Sequence, residues 1–318
     1  MVTNVLPDAL ARRCAATPPS RTRHNGATTP QKGMDRAWRT GFDGARRGIA
    51  QTAAGAVLAF FLLYTLLPML WLLISSLKTN LELFREPFKL PLQLQWANYG
   101  NAIRVSGLAI LFANSLLISA AATAGNILIA AMAAYVIARY PSRRMEGIHS
   151  LLVAGILVPL TALMVPYFTL IKALGIYDTK WALILTYTAI GLPVSVFIIR
   201  GFMNSIAKEI EEAAVIDGCN FYALFFRIIF PLSRPGIVTA LTFEFLTCWN
   251  EFVYAMLLTS SLSTRTIQIG IRYFKNQFTT DYTSMYAAVV LSIIPSILAY
   301  ILFQNQIISG LTQGAVKE

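Results

Sequence analysis

At 318 residues, 56% hydrophobic and only 13% charged, with a mean hydropathy of +0.59, the chain carries more apolar surface than a soluble fold of its size buries. Its net charge of +11 does not point to nucleic acid, because +6 of it falls within residues 1–47. Three cysteines, in that tail, a loop and an apolar run, build no disulfide framework, and neither His24 nor His149 has a metal-ligand or nucleophile partner at suitable spacing.

Residues 1–47, basic and rich in Thr, Pro and Gly, read as a disordered cytoplasmic tail drawn to anionic lipid headgroups. A start at Met34 and an Arg-rich organellar targeting peptide are the alternatives, whereas the apolar core and cleavage site of a secretory signal are missing. Apolar runs free of acidic and basic residues then cover 48–77, 105–138, 147–171, 181–199 and 286–316, and a sixth, 235–264, is broken only by Glu244 and Glu251. Each exceeds or approaches the ~20 residues a helix needs to cross the hydrocarbon core. The expected fold is an all-α membrane protein of six transmembrane helices, centred near Leu63, Ala121, Val158, Ile190, Phe245 and Ile297.

Cations set the orientation. With the N-terminus inside, seventeen Lys and Arg fall in cytoplasmic segments and nine in outer loops, so both termini belong to the cytoplasm. The expected organisation is a first helix and outer loop over 48–104, a core over 105–309 that contains a long cytoplasmic loop at 200–235, and a C-terminal tail over 310–318.

That loop carries the most informative stretch, Glu211 to Leu232. A short helix, 207–216, precedes Gly218, which permits the positive φ of a sharp reversal. Asn220 is placed to cap a second helix, whose Phe221, Leu224, Phe225, Ile228 and Ile229 recur with the period of one buried face. In the same order Glu212, Ala213, Ala214, Asp217, Gly218, Ile228 and Pro231 stand at the spacing of the EAA loop. The chain resembles membrane subunits of bacterial binding-protein-dependent ABC importers. The segments ISSLKTNLELFREPFKLP, AAYVIARYP, VPYFTLIKALGIYDT, WNEF and GLTQGAVKE are similar to the sugar-uptake branch, specifically its second, smaller permease of the maltose and glycerol-phosphate type.

The resemblance implies a type I importer permease in the bacterial cytoplasmic membrane. Its partners would be a larger homologous permease, two copies of an ABC ATPase, an extracytoplasmic solute-binding protein and the lipid bilayer, with no nucleic acid. Residues Glu212, Ala213, Ala214, Asp217, Gly218, Phe221, Leu224, Phe225, Ile228 and Pro231 would contact the ATPase, with the apolar face packing into its cleft. Gly310, Leu311, Thr312 and Gly314 would form a second ATPase contact. No GxxxxGK[ST] phosphate loop occurs, so the chain is not expected to be an enzyme, and ATP and Mg would sit on the partner, with no cofactor or metal here.

For the translocation path the candidates are Asn114, Ser115, Glu244, Trp249, Asn250 and Glu251. Carboxylates in hydrocarbon are costly and usually face a protein or aqueous interior. Glu244 and Glu251, two helical turns apart, would share an inward face, while Trp249 and Asn250 would stack on and hydrogen-bond a sugar. The competing reading is that these groups hold helices together. A glycerol phosphate or polyol cargo, a secondary transporter and an intramembrane enzyme remain as alternatives.

Overall fold

A computed structural model describes residues 31–105, 107–274 and 281–315, with side chains described over 51–104, 107–272, 274 and 281–306. The described residues form helices and no strand: α1 (Gln31–Ser76), α2 (Asn80–Arg85), α3 (Ala97–Val105), α4 (Leu108–Arg139), α5 (Arg143–Ile156), α6 (Met164–Ala173), α7 (Lys180–Met203), α8 (Lys208–Ile216), α9 (Phe221–Leu224), α10 (Phe230–Leu232), α11 (Arg234–Asn250), α12 (Val253–Leu258), α13 (Ile267–Gly270) and α14 (Tyr282–Ala315). They fall into two units, Met1–Thr65 and Leu66–Glu318. In the first unit, every described side chain of α1 is exposed. In water such a surface would be untenable, but against lipid it costs nothing.

In the second unit α4, α7, α11 and α14 pack into a bundle. The seam between α4 and α7 is lined by small residues, with Ala122, Ala130, Ala131 and Ala134 wholly buried, so the backbones approach closely. Polar bonds cross the same seam: Asn126 Nδ2 donates to the Thr188 carbonyl (2.9 Å) and Thr188 Oγ1 to that of Ala122 (3.2 Å). Each satisfies a group that lipid cannot.

Four helical segments are long and apolar enough to cross a membrane, Gln51–Ser76, Leu108–Arg139, Lys180–Met203 and Tyr282–Gln306. Two bent pairs bring the number to six. The first joins Arg143–Ile156 to Leu160–Ala173 at 100°, and the second joins Phe221–Leu232 to Arg234–Asn250 at 75°.

The first bend corrects the expected third span. Its predicted centre, Val158, is where the helix breaks, because Pro159 lacks the donor to continue the helix and disfavours the α region for its predecessor. The fifth span is shorter than 235–264: α11 ends at Asn250, and Glu251 is extended (φ −70°, ψ 129°). Glu251 therefore does not share a helical face with Glu244. At the start of the chain, helix replaces expected tail from Gln31, while residues 1–30 lie outside the described residues. At its end, α14 continues through Gly310, Leu311, Thr312 and Gly314, whose side chains lie outside the described residues.

Before α7, Asp178 takes a left-handed φ of 57° and its carboxylate gathers the 260–264 loop. It accepts from the Ser260 N–H (2.8 Å) and hydroxyl (2.9 Å), the Ser261 N–H and hydroxyl (both 3.1 Å) and the Thr264 hydroxyl (2.6 Å). Partial burial opposes its ionisation, but the bonds from Ser260, Thr264 and Ser261 outweigh that and hold the group below the usual carboxylate range.

Candidate functional site

The 200–235 loop folds as a helical hairpin. α8 carries Glu209 and Glu211 in its first turn, where negative charge complements the helix dipole. It closes by a Schellman motif: Gly218 N–H donates to the Val215 carbonyl and Cys219 N–H to that of Ala214, both at 3.0 Å. Gly218 sits at φ +85°, a conformation that costs an L side chain about 1–2 kcal/mol. Asn220 Oδ1 then accepts from the Ala223 N–H at 2.8 Å and starts α9. These turn and cap expectations match the structure.

Between α9 and α10 the chain makes one π-turn, Phe225–Ile229, closed by the Phe230 N–H to the Phe225 carbonyl. The surplus residue lets Leu224, Phe225 and Ile229 all point into the bundle, where they are buried with Tyr135, Ile199, Met203 and Ile237. This corrects the expectation that the apolar face of this helix packs into a foreign cleft. Ala214, Leu224 and Phe225 are covered by their own chain, and Ile228 is half-buried. Glu212, Ala213, Asp217, Gly218, Phe221 and Pro231 lie at the surface, all of them exposed.

The outward face includes residues that sequence reasoning misses. Ile216 is 85% exposed, Tyr222 69% and Val215 57%, on either side of the Gly218 turn. Their signal is present in the sequence: they fall off the buried stripe, yet are apolar. A cavity of about 370 Å³ opens beside them, walled by Tyr135, Arg139, Tyr140, Glu211, Glu212 and Ile216.

Arg139, the last residue of α4, is in the sequence only one cation among many. Its Nε donates to Glu211 Oε1 and its Nη2 to the Ile206 carbonyl at 3.0 Å. One turn earlier Tyr135 packs against the rings of Phe221 and Phe225, at centroid separations of 5.5 and 5.3 Å.

The path candidates are used within the chain. Asn114 Nδ2 lies within bonding reach of the Leu262, Ser263 and Arg265 carbonyls, and Ser115 Oγ accepts from the Ile267 N–H at 2.8 Å. Trp249 is buried, donates Nε1 to the Ser292 carbonyl (2.9 Å) and packs on Phe112 and Phe245. Glu251 accepts from the Tyr254 N–H (2.8 Å), the Ala255 N–H (2.9 Å) and the Tyr187 hydroxyl (2.8 Å), capping α12 and tying it to α7. Asn250 is exposed but donates to the Leu246 carbonyl at 2.8 Å. Glu244 is buried between α11 and α7, with Cys248 Sγ donating at 3.3 Å. A Cβ added at Gly191 would lie 1.9 Å from its Oε2. For Asn114, Ser115, Trp249 and Glu251 the geometry is that of helix and loop fastening.

Residues 126–311 match the family model described as the binding-protein-dependent transport system inner membrane component, and this interval holds the whole hairpin. The chain belongs to that family. It is 35% identical over 253 residues, 79% of its length and 89% of the relative's, to a sulfoquinovosyl glycerol transport system permease protein of Agrobacterium fabrum. A diacetylchitobiose uptake system permease protein of Streptomyces coelicolor is 33% identical, with 82% and 87% covered. Its fold is similar to a chain from the crystal structure of a bacterial ABC transporter that imports alginate, at a TM-score of 0.72 and 20% identity, over 81% of this chain and 96% of that one. The fold class read from the sequence, an all-α importer permease, thus stands, and the protein is a multi-pass membrane permease of the ABC importer class.

Proposed function

We propose that this chain is one half of the translocation path of an ATP-driven carbohydrate importer in the bacterial cytoplasmic membrane. The observation that carries this is the hairpin at Gly218: two short helices fixed to the bundle by their buried sides, presenting Glu212, Val215, Ile216 and Tyr222 outward together. Such a surface suits a cleft in a second protein. The excess of Lys and Arg on the same side supports its placement in the cytoplasm with both termini.

A larger homologous permease would supply the other half of the path, and two ABC ATPase subunits would hold ATP and Mg and grip one hairpin each. An extracytoplasmic solute-binding protein would deliver cargo, as the family's name implies. Closure of the ATPase pair would displace α8 and α9 and, through α7 and α11, open the spans outward; hydrolysis would reset them. Sugar cargo is supported by relatives named for sulfoquinovosyl glycerol and diacetylchitobiose uptake, and by a trehalose transport system permease protein of Mycobacterium tuberculosis, 33% identical over 258 residues. The C-terminal positions Gly310, Leu311, Thr312 and Gly314 would make the second ATPase contact.

The test is co-expression with the neighbouring permease, ATPase and binding protein, purification, and uptake of labelled di- and oligosaccharides into liposomes. ATP-dependent uptake with the ATPase subunit retained is expected, and Glu212→Lys removes both. Uptake by this chain and the second permease without any ATPase overturns the reading.

A further inference from the structure

We infer that Arg139 and Glu211 form a positioning pair that makes the end of α4 and the coupling hairpin move as one body. This rests on the proposed function, and assigns the step between hairpin and spans to named side chains. α7 and α11 run into the hairpin through the backbone, but α4 does not. Its connection to α8 is made by side chains alone.

Within α8, Ala214 is the one buried residue. A single methyl group does not fix the direction of a nine-residue helix. Arg139 supplies a second and a third point: the ion pair to Glu211 in the first turn of α8, and the bond to the Ile206 carbonyl just before it. Two bonds from one planar guanidinium resist rotation as well as separation. The side chains of the pair are only 7% and 13% exposed, so neither charge has ready access to water as a substitute partner. The Tyr135 ring, one turn back along α4, holds Phe221 and Phe225 of the other arm. The last turn of α4 therefore grips both arms on either side of Gly218, and a push on the exposed face reaches a span that the backbone route bypasses.

The charge pair is separable from docking by its burial: Arg139 and Glu211 are 7% and 13% exposed in the wall of the cavity, whereas Glu212 and Ile216 are exposed at its rim. The test uses the complete transporter in liposomes, measuring ATPase retention, ATP hydrolysis and solute uptake for wild type, Arg139→Leu, Glu211→Gln, and the double variant Arg139→Glu with Glu211→Arg. Each single variant is expected to hold the ATPase and hydrolyse ATP while uptake per ATP falls at least tenfold, and the exchanged pair regains at least a third of wild-type uptake per ATP. Single variants that keep uptake per ATP within twofold of wild type overturn the inference. So do single variants that lose the ATPase subunit with no rescue by the exchanged pair, since that is the behaviour of a merely structural contact. Failure of the wild type to retain an ATPase would instead overturn the proposed function, so the two failures are distinct.

Discussion

Two carboxylates near opposite ends of α7, a helix about 36 Å long at 1.5 Å per residue, are satisfied in different ways. Asp178 collects amides and hydroxyls from one loop, Ser260 to Thr264. Glu211 is held by one guanidinium from a different helix. The first arrangement freezes a local shape, and nothing in it can transmit a displacement from one long helix to another. The second joins two elements that the backbone leaves independent. Satisfaction of a buried charge thus says little about role until the partner's origin is known.

The contrast is broken most severely at the hairpin. Gly218→Val places a β-branched side chain at φ +85° with open space around it, so the cost is conformational, about 1–2 kcal/mol, and falls on the turn. Uptake is expected to vanish while the chain stays in the membrane; normal uptake together with normal ATPase retention would remove the hairpin from the mechanism. Asp178→Ala should do the reverse, lowering stability by about 2–3 kcal/mol through unpaired donors while uptake per ATP is kept. The thermal midpoint in detergent and liposome uptake read the two effects separately. Glu251→Gln retains an acceptor but loses charge at the start of α12, and a loss of about 1 kcal/mol is expected in the same melting assay.

The smallest effect is on pH dependence. Because Asp178 is held below its ordinary range in the fold, its stabilisation is present above the unfolded pKa of about 3.9 and is lost as pH falls below it towards the folded value. The melting midpoint of Asp178→Asn should therefore fall less than wild type's between pH 5 and pH 3, a window set by that unfolded value of about 3.9. Equal falls would mean that the loop is not anchored by charge.

Much of this is legible in one dimension where the determinants are local. Gly218, Asn220 and the apolar runs act within a few residues, and the structure repeats them. The path candidates are not legible, since Asn114 finds its carbonyls 148 to 151 residues further on and Trp249 its carbonyl 43 residues on. Polarity in a span signals that a group needs a partner, and leaves open whether the partner is cargo or backbone. The direction of the apolar face at Leu224 and Phe225 is equally hidden, because periodicity marks a face to be covered without naming what covers it. Pro159 is visible, but a proline within an apolar run is compatible with both a kinked span and a 100° break.

The π-turn at Phe225–Ile229 sets the azimuth of α10 and α11. Its wider winding takes five residues through about the arc that four cover in an ordinary α-helix, so the segments on either side stay in phase although the chain carries one residue more. Forced to 3.6-residue winding with no residue removed, the same segment would turn everything downstream by about 100° relative to α9. The heading at which α11 enters the bilayer is stored in that one supernumerary residue.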